Sequence, residues 1–302
     1  MVLVDNLLNI DRLNKTQVED IIYLASSLKK DFPHSTKDSP LKGKNVIFLF
    51  LESSTRTKTS FNFACSILGA NVIDISPKSS SMTKGETFEN TIKTISSYPA
   101  DALVLRSNEN NDINIAKNIL DFPVINAGSG TKSHPTQALT DLMTLIEKGV
   151  SIEKLKISIV GDIEHSRVAR SLIELLNLFG SIINICSPKY FKPTDLKNIS
   201  HFEDLNQVLK NVDVLMTLRI QRERIEKYKI NFNEYSDKYM ITEKILNEFN
   251  VSYLMHPGPV NEGIEIDRGL QDSSKSLILE QVKNGTWIRC AVLINILLNG
   301  KL

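Results

Sequence analysis

The segment NVIFLFLESSTRTKTSFNFACSILG, residues 45–69, places an apolar run, a polar turn and a helical pattern in direct succession. Residues 45–51 are mostly apolar, and a short apolar run bounded by polar residues predicts a buried strand. Residues 55–68 predict a helix, which ends at Gly69, a residue type common just beyond helix ends. A strand, a short loop and a helix form the repeating unit of a parallel α/β sheet.

The same unit recurs along the rest of the chain. Thr16 and Glu19 have the spacing of a capping box, which predicts an opening helix. Further strands are predicted at 71–76, 101–106, 124–127, 156–161, 182–186, 212–218 and 252–255, and helices at 87–97, 113–120, 135–148, 166–179, about 274–283 and 287–298. The pattern restarts after the fourth strand, so we predict an α/β fold with two doubly wound parallel-sheet domains and a hinge at 135–149.

Composition limits the class of protein. The chain has 302 residues, of which 41% are hydrophobic, and its net charge of +1 gives no reason to expect nucleic acid or a membrane surface as a partner. Cys65, Cys186 and Cys290 lie far apart in apolar stretches, which predicts core residues rather than disulfides or a zinc site. With no signal peptide or membrane-length apolar run in the sequence, a cytoplasmic location is expected.

The loop after the first strand predicts a phosphate site. Residues 53–57, SSTRT, bring hydroxyl groups and the Arg56 guanidinium to the start of a helix. A helix N-terminus offers unpaired N–H groups and the positive end of the helix dipole. The same five residues also fit an ordinary helix cap with a solvated arginine, so the local pattern leaves both interpretations open.

Three other loops of the first half carry polar residues where ligands bind in open α/β sheets, at the carboxyl ends of strands. Lys84 stands in the polar loop 79–86, which taken alone fits a plain surface loop better than a ligand site, and Arg106 ends the third strand. His134 precedes Pro135, which fits the first position of a helix. A neutral His134 could polarise a carbonyl oxygen, or it could simply satisfy its own helix end.

The second half repeats this placement. Arg167 follows one strand, and it could face the crevice or lie on a solvated helix end. The run RIQRER at 219–224 follows another strand and suits a carboxylate, although it also fits an exposed loop. The last strand leads into HPGP, residues 256–259, where a sharp turn would present backbone carbonyls. Gly161 lacks the glycine partners of a dinucleotide fingerprint, so a dehydrogenase is not supported.

Together these motifs resemble the aspartate carbamoyltransferases over almost the whole chain. STRT at 54–57 with Ser60 and Phe61 resembles the carbamoyl-phosphate signature of all transcarbamylases, as does HPTQAL at 134–139. The residues Arg219, Gln221 and Arg224 resemble the R-x-Q-x-x-R element of the aspartate branch. HPGP stands where the ornithine branch has a cysteine-containing H-C-L-P. Lys58 and Ser129 depart from the usual arginine and aspartate.

The resemblance implies roles in binding the first substrate and in catalysis. The phosphate would be held by Ser54, Thr55, Arg56, Thr57 and Arg106, and the carbamoyl oxygen by Thr57, Arg106 and His134. Gln137 and the carbonyl groups of the loop Pro257, Gly258 and Pro259 would orient the carbamoyl NH₂ and the attacking amine. Ser80 and Lys84 would reach the site of a neighbouring subunit in a homotrimer, where Lys84 joins Thr57, Arg106 and His134 as a catalytic residue.

The resemblance also implies the second substrate, the domains and the partners. Arg167, Arg219 and Gln221, with Lys84, would bind L-aspartate, and no metal or organic cofactor is required. The carbamoyl-phosphate domain would comprise residues 1–135 with a returning helix at 285–302, and the aspartate domain residues 136–284. A regulatory chain or a dihydroorotase is a further possible partner. Proline at 257 argues against ornithine as the substrate, and competent side chains at every expected position argue against a non-catalytic relative.

Overall fold

The computed structural model describes residues 4–31, 39–76, 81–196, 199–221 and 231–298. The chain divides into two compact units. The first comprises Met1–Met143 with Lys283–Leu302, and the second comprises Thr144–Val282. Each unit has its own parallel sheet, which confirms the predicted fold class.

The first unit alternates strands and helices after an opening helix. Its elements are α1 (Lys15–Asp31), β1 (Asn45–Phe50), α2 (Thr55–Leu68), β2 (Asn71–Ile75), α3 (Phe88–Ser96), β3 (Ala102–Ser107), α4 (Asp112–Ile119) and β4 (Val124–Ser129). The sheet order is β2-β1-β3-β4, and all pairs are parallel. Strands β1, β3 and β4 are almost wholly buried, whereas the edge strand β2 is largely exposed.

The second unit repeats the arrangement with five parallel strands. Its elements are β5 (Lys156–Val160), α6 (Arg167–Leu178), β6 (Ile182–Cys186), β7 (Ser200–Phe202), α7 (Leu205–Val208), β8 (Val214–Thr217), α8 (Phe232–Tyr239), α9 (Glu243–Glu248) and β9 (Tyr253–Met255). The order is β7-β6-β5-β8-β9. The short edge strand β7, with the sequence Ser-His-Phe, has too few apolar residues to stand out in the sequence, and we did not predict it.

Two helices belong to both units. Helix α5 (Pro135–Glu147) and helix α10 (Ile278–Leu297) each cross from one unit to the other along the chain. The boundaries between the two units therefore lie inside these two helices. Our division of the chain at residues 135 and 285 stays a prediction. Within the described residues, no helix is long and apolar enough to cross a membrane.

The prediction of two terminal helices is wrong, because α10 is continuous through Gly285. Glycine weakens a helix by about 1 kcal/mol relative to alanine but does not break it. Here the missing side chain also makes room, since a Cβ atom on Gly285 would lie 2.6 Å from Nη1 of Arg289. That guanidinium donates a hydrogen bond to the Gly285 carbonyl oxygen at 2.6 Å.

The predicted cap of the first helix is also wrong. Helix α1 begins one residue before Thr16, and the capping pair is Asn14 with Gln17. The Asn14 side chain accepts from the Gln17 backbone N–H at 2.9 Å, and the Gln17 side chain accepts from the Asn14 N–H at 3.0 Å. This reciprocal pattern is a capping box in which asparagine and glutamine replace threonine and glutamate.

Candidate active site

Each sheet has one point at which its strand order reverses, and ligands of open α/β sheets bind there. In the first unit this point lies between β1 and β3, whose carboxyl ends meet where Phe50 pairs with Arg106. In the second unit it lies between β5 and β8, where Val160 pairs with Thr217. Residues 54–57 follow β1 and Arg106 lies in β3, while Arg167 follows β5 and Arg219 follows β8. The other predicted site residues follow different strands: Lys84 follows β2, His134 and Gln137 follow β4, and residues 257–259 follow β9.

In the first unit, Thr57 from the first turn of α2, Arg106 from β3 and His134, which directly precedes α5, come together. Arg106 Nη1 donates to Thr57 Oγ1 at 3.3 Å, and the same hydroxyl lies 3.5 Å from His134 Nε2. Thr57 is 6% exposed and His134 is 4% exposed, so the groups meet in a largely water-free environment. Polar contacts in such an environment are stronger and more rigid than in water. Three of the predicted catalytic residues therefore form one cluster.

Arg106 is fixed by two further contacts. Its Nε atom lies 2.8 Å from Glu52 Oε1, and Nη1 also donates to the Ala127 carbonyl oxygen at 3.3 Å. The Arg106 side chain is only 13% exposed, so the neighbouring carboxylate offsets the cost of burying its charge. We did not predict Glu52. The sequence did contain a signal for it, namely an acidic residue directly before the predicted phosphate loop. Closely spaced cations need a nearby negative charge to offset their mutual repulsion.

The start of α2 fits an anion site better than a plain helix cap. Ser54 occupies the cap position with extended backbone angles, but its side chain makes no capping hydrogen bond. Thr55 and Arg56 are exposed in the first turn. The Ser54 hydroxyl and the first N–H groups of the helix are thus placed to meet an anion at the positive end of the helix dipole.

His134 and Gln137 are positioned by the start of α5. The structure confirms that Pro135 begins this helix, and the His134 carbonyl oxygen accepts from the N–H groups of Gln137 and Ala138. Gln137 Nε2 donates to Oδ1 of Asp141, a fully buried residue, at 2.8 Å.

Arg289 of α10 supplies a cation in the same region of the first unit. It donates to Thr136 Oγ1 at 3.4 Å and stacks with Cζ 5.2 Å from the centre of the Phe61 ring. Burial lowers the pKa of Arg289 to about 10, and the Asp141 charge opposes this change, so the side chain stays charged at neutral pH. We did not predict Asp141 or Arg289, because buried charges that influence each other from distant segments have no local sequence pattern.

In the second unit, Gln221 is tied to the loop that precedes Arg167. Gln221 Nε2 donates to the His165 carbonyl oxygen at 2.7 Å, and its backbone N–H donates to Asp162 Oδ2 at 3.3 Å. The His165 ring lies 2.7 Å from Asp162 Oδ1, and Asp162 is fully buried. Arg167 itself is 9% exposed and begins α6. The structure therefore brings the Gln221 and Arg167 segments together within this unit.

For the remaining predicted site residues, the structure gives their exposure and their position along the chain. Arg219 is half-buried directly after β8, and Lys84 is exposed at the end of a 3₁₀ turn, Ser81–Lys84. Ser80 and Arg224 lie outside the described residues. Pro257 and Gly258 are half-buried, and Pro259, which follows Gly258 through a cis peptide bond, is exposed.

The departures from the signature have local explanations. Lys58 Nζ forms an ion pair with Asp74 Oδ2 at 2.7 Å. Ser129 Oγ accepts from Asn126 Nδ2 at 3.1 Å, so a neutral hydroxyl is accommodated in this buried turn.

The three cysteines are buried, as predicted. Burial raises the pKa of the Cys65, Cys186 and Cys290 thiols to about 12 in each case. They are therefore protonated core residues rather than nucleophiles.

Known proteins match the chain over nearly all of its length. Residues 5–147 match the family model of the aspartate/ornithine carbamoyltransferase carbamoyl-P binding domain, and residues 153–296 match that of the Asp/Orn binding domain. An aspartate carbamoyltransferase catalytic subunit from Solibacter usitatus is 38% identical over 95% of this chain and 97% of its own length. That of Halothermothrix orenii is 41% identical over 92% of this chain and 90% of its own length.

Solved structures agree with these sequence matches. Aspartate transcarbamoylase from Trypanosoma cruzi, in complex with carbamoyl phosphate and aspartate, superimposes with a TM-score of 0.89 at 27% identity, covering 97% of both chains. The catalytic subunit of the M. jannaschii enzyme gives a TM-score of 0.86 at 31% identity, covering 98% of this chain and 99% of that one. Both domain models, the relatives and the fold agree, and the chain belongs to the aspartate/ornithine carbamoyltransferase family.

Proposed function

We propose that the chain transfers the carbamoyl group of carbamoyl phosphate to the amino group of L-aspartate, giving N-carbamoyl-L-aspartate and phosphate in pyrimidine biosynthesis. The observation that carries this assignment is the convergence of Arg106, Thr57 and His134 beside the anion-binding start of α2. The relatives carry the same activity in their names, and the T. cruzi structure contains both substrates.

Phosphate binding follows from the first turn of α2. Arg56 adds a full positive charge to the helix N-terminus, and Ser54, Thr55 and Thr57 add hydroxyl donors. Arg106 supplies a second cation, which Glu52 holds in place at 2.8 Å. A doubly charged phosphate is a stronger partner for this cluster than one carboxylate, so we propose that the ligand competes with Glu52 for part of Arg106.

Carbamoyl transfer needs donors aimed at the carbonyl oxygen. When the neutral amine attacks the carbamoyl carbon, negative charge grows on that oxygen and then on the departing phosphate. Thr57, Arg106 and His134 already meet within 3.5 Å, so they are preorganised to stabilise the charge. Such stabilisation is usually the largest catalytic contribution. The phosphate oxygen accepts the amine proton, and no covalent enzyme intermediate is needed.

Aspartate recognition is assigned to the second unit. Arg167 and Arg219 supply two cations for two carboxylates, and Gln221 connects the segments that carry them through the His165 carbonyl. Ornithine would place an ammonium group against these cations, which costs binding energy. Gln137, together with the carbonyl groups of Pro257 and Gly258, is assigned to the carbamoyl NH₂ and the attacking amine.

A shared active site in a homotrimer is a further part of the proposal. Lys84 is exposed, so its amine is accessible to another subunit. Closed cyclic symmetry presents the same loop of every subunit to one neighbour. Lys84, with Ser80 nearby in sequence, would then add a third cation to the phosphate site next door.

Subunit mixing tests this arrangement. Arg56→Ala and Lys84→Ala chains, each expected to lose about 10²-fold in turnover, are dissociated, mixed and reassembled. In a mixed trimer, one interface joins an intact Arg56 to an intact Lys84 from the neighbour and regains normal turnover. If Lys84 acts within its own chain, the mixture shows only the average of the two parents. Native mass spectrometry confirms that mixed trimers are present.

The reaction as proposed uses no metal or organic cofactor. A cytoplasmic location and association with a regulatory chain or a dihydroorotase remain predictions from the sequence.

A further inference from the structure

A buried histidine, His256, and a buried glutamate, Glu265, flank the loop at residues 257–261, which follows β9. His256 is 1% exposed and Glu265 is 0% exposed, and His256 Nε2 lies 3.3 Å from Glu265 Oε1. The His256 backbone N–H donates to Oε1 of Gln281, on α10, at 3.0 Å. All of these residues belong to the second unit. Neither side chain has a role in the function proposed above.

The pair holds the loop at both of its ends. His256 Nδ1 accepts a hydrogen bond from the Gly258 backbone N–H at 2.7 Å. Glu265 Oε1 accepts another from the Asn261 backbone N–H. The loop above is partly exposed, and Gly258 has φ of 69°, a left-handed conformation that favours glycine. The pair therefore accepts a hydrogen bond at each end of this loop.

The hydrogen bond to Nδ1 determines the form of the imidazole. A ring nitrogen can accept from an N–H group only through its lone pair, so Nδ1 carries no proton. The proton of the neutral ring then resides on Nε2, which lies 3.3 Å from Glu265 Oε1. A carboxylate that orients a histidine through one nitrogen, while the other nitrogen makes a specific contact, is a common way to set the tautomer.

The same hydrogen bond determines where the Pro257 carbonyl points. In a trans peptide group, the N–H and C=O bonds point in opposite directions, and the peptide joining Pro257 to Gly258 is trans. Because the Gly258 N–H is directed at the buried ring, the Pro257 carbonyl oxygen is directed away from it. This carbonyl is one of the two assigned to the carbamoyl NH₂ and the attacking amine.

We propose that His256 and Glu265 are positioning residues for this reaction, with the neutral Nε2–H imidazole aiming the Pro257 carbonyl oxygen at the reacting nitrogens. The proposal rests on the proposed function, since it gives the pair a task in carbamoyl transfer. A misplacement of about 1 Å in a positioning group can cost about 10²-fold in rate. Loss of the contact should therefore lower kcat rather than weaken phosphate binding.

Two substitutions distinguish the contact of the His256 ring with Gly258 from its contact with Glu265. In His256→Asn, the amide oxygen can take the place of Nδ1 and keep the acceptor for Gly258, while the bond to Glu265 is lost. In His256→Gln, the longer side chain can keep the contact with Glu265, while the acceptor for Gly258 is lost. We expect His256→Gln to lower kcat at least about tenfold, and His256→Asn to retain most of it. The KM for carbamoyl phosphate should stay within about twofold in both.

Thermal unfolding distinguishes positioning from a purely structural role. Each variant breaks one buried contact, so the two variants should lose similar amounts of unfolding free energy. If His256 had only a structural role, the two variants would then also have similar kcat values. Equal kcat in the two variants, or wild-type kcat in a folded His256→Gln, would overturn the proposal.

The wild-type protein provides a test that does not depend on the variants. Long-range ¹⁵N–¹H correlation spectra of its five histidines should show one ring as the neutral Nε2–H tautomer, absent from the spectrum of either variant. A protonated Nδ1 on His256 would refute the inference. If the wild-type chain instead shows this tautomer but transfers no carbamoyl group to aspartate, the proposed function fails and the hydrogen-bond assignment stands.

Discussion

Replacing Thr57 by valine tests the centre of the candidate site, because valine keeps the shape of threonine and removes only the hydroxyl. Thr57 Oγ1 accepts from Arg106 at 3.3 Å, a long hydrogen bond. Arg106 keeps its contacts with Glu52 and the Ala127 carbonyl in the variant. We therefore expect a stability loss of about 1 kcal/mol, which leaves a protein of ordinary stability folded.

The catalytic effect should be much larger than the structural one. If the hydroxyl is a preorganised donor to the carbamoyl oxygen, its removal lowers kcat about 10²-fold or more, which corresponds to about 2.7 kcal/mol of transition-state stabilisation. Steady-state kinetics with both substrates measure this loss, and chemical denaturation measures the stability change. The two numbers should differ clearly.

Thr91→Val is the matched control. Thr91 is 5% exposed, close to the 6% of Thr57, and its hydroxyl contacts Glu86 and the Thr87 carbonyl, residues without a role in the proposed site. This variant should lose similar stability and keep normal turnover. If Thr57→Val keeps near-normal kcat, or if both variants lose activity equally, the assignment of Thr57 to the reacting oxygen is wrong.

Two further predictions concern binding and pH. Arg219→Ala should weaken aspartate binding strongly and leave carbamoyl phosphate binding almost unchanged, because the charge it removes is the one we assign to an aspartate carboxylate; equal losses in calorimetric titrations would contradict the assignment. For Asp101, burial raises the carboxyl pKa, but the hydrogen bond from Lys44, the hydrogen bond from the Asn45 N–H and the Lys44 charge outweigh burial and lower the pKa from its ordinary value. A lowered pKa contributes stability above the unfolded-state value that is lost as pH falls through the folded-state value, so Asp101→Asn should cost about 1 kcal/mol at neutral pH and nothing at strongly acid pH, as thermal unfolding across pH can verify.

The fold could be predicted from the sequence because its elements are locally encoded. Strand β1 and helix α2 appear with nearly the predicted bounds, since an apolar run and a helical pattern identify each of them. The errors arose where the local signal is ambiguous. Gly285 lies inside one helix because Arg289 packs against it, a contact that requires the folded chain.

The site was predictable to the extent that its residues follow strands. Thr57 lies in the first turn of α2, Arg106 near the carboxyl end of β3 and His134 directly before α5, and the topology brings these positions together. Glu52 gave a signal as an acidic residue beside the predicted phosphate site, but its contact with Arg106 is a tertiary contact that the sequence does not show. A pairing between residues far apart in sequence leaves no periodic pattern, so it emerges only from the folded structure.

The most direct test of the central claim is a transfer assay with the purified chain, carbamoyl phosphate and either L-aspartate or L-ornithine. Product identity is followed by mass spectrometry and phosphate release by a coupled assay. The arrangement of Arg167, Arg219 and Gln221 predicts stoichiometric N-carbamoyl-L-aspartate and phosphate with aspartate, and no detectable citrulline with ornithine. Faster turnover with ornithine, or no phosphate release with either amine from a folded protein, would contradict the assignment.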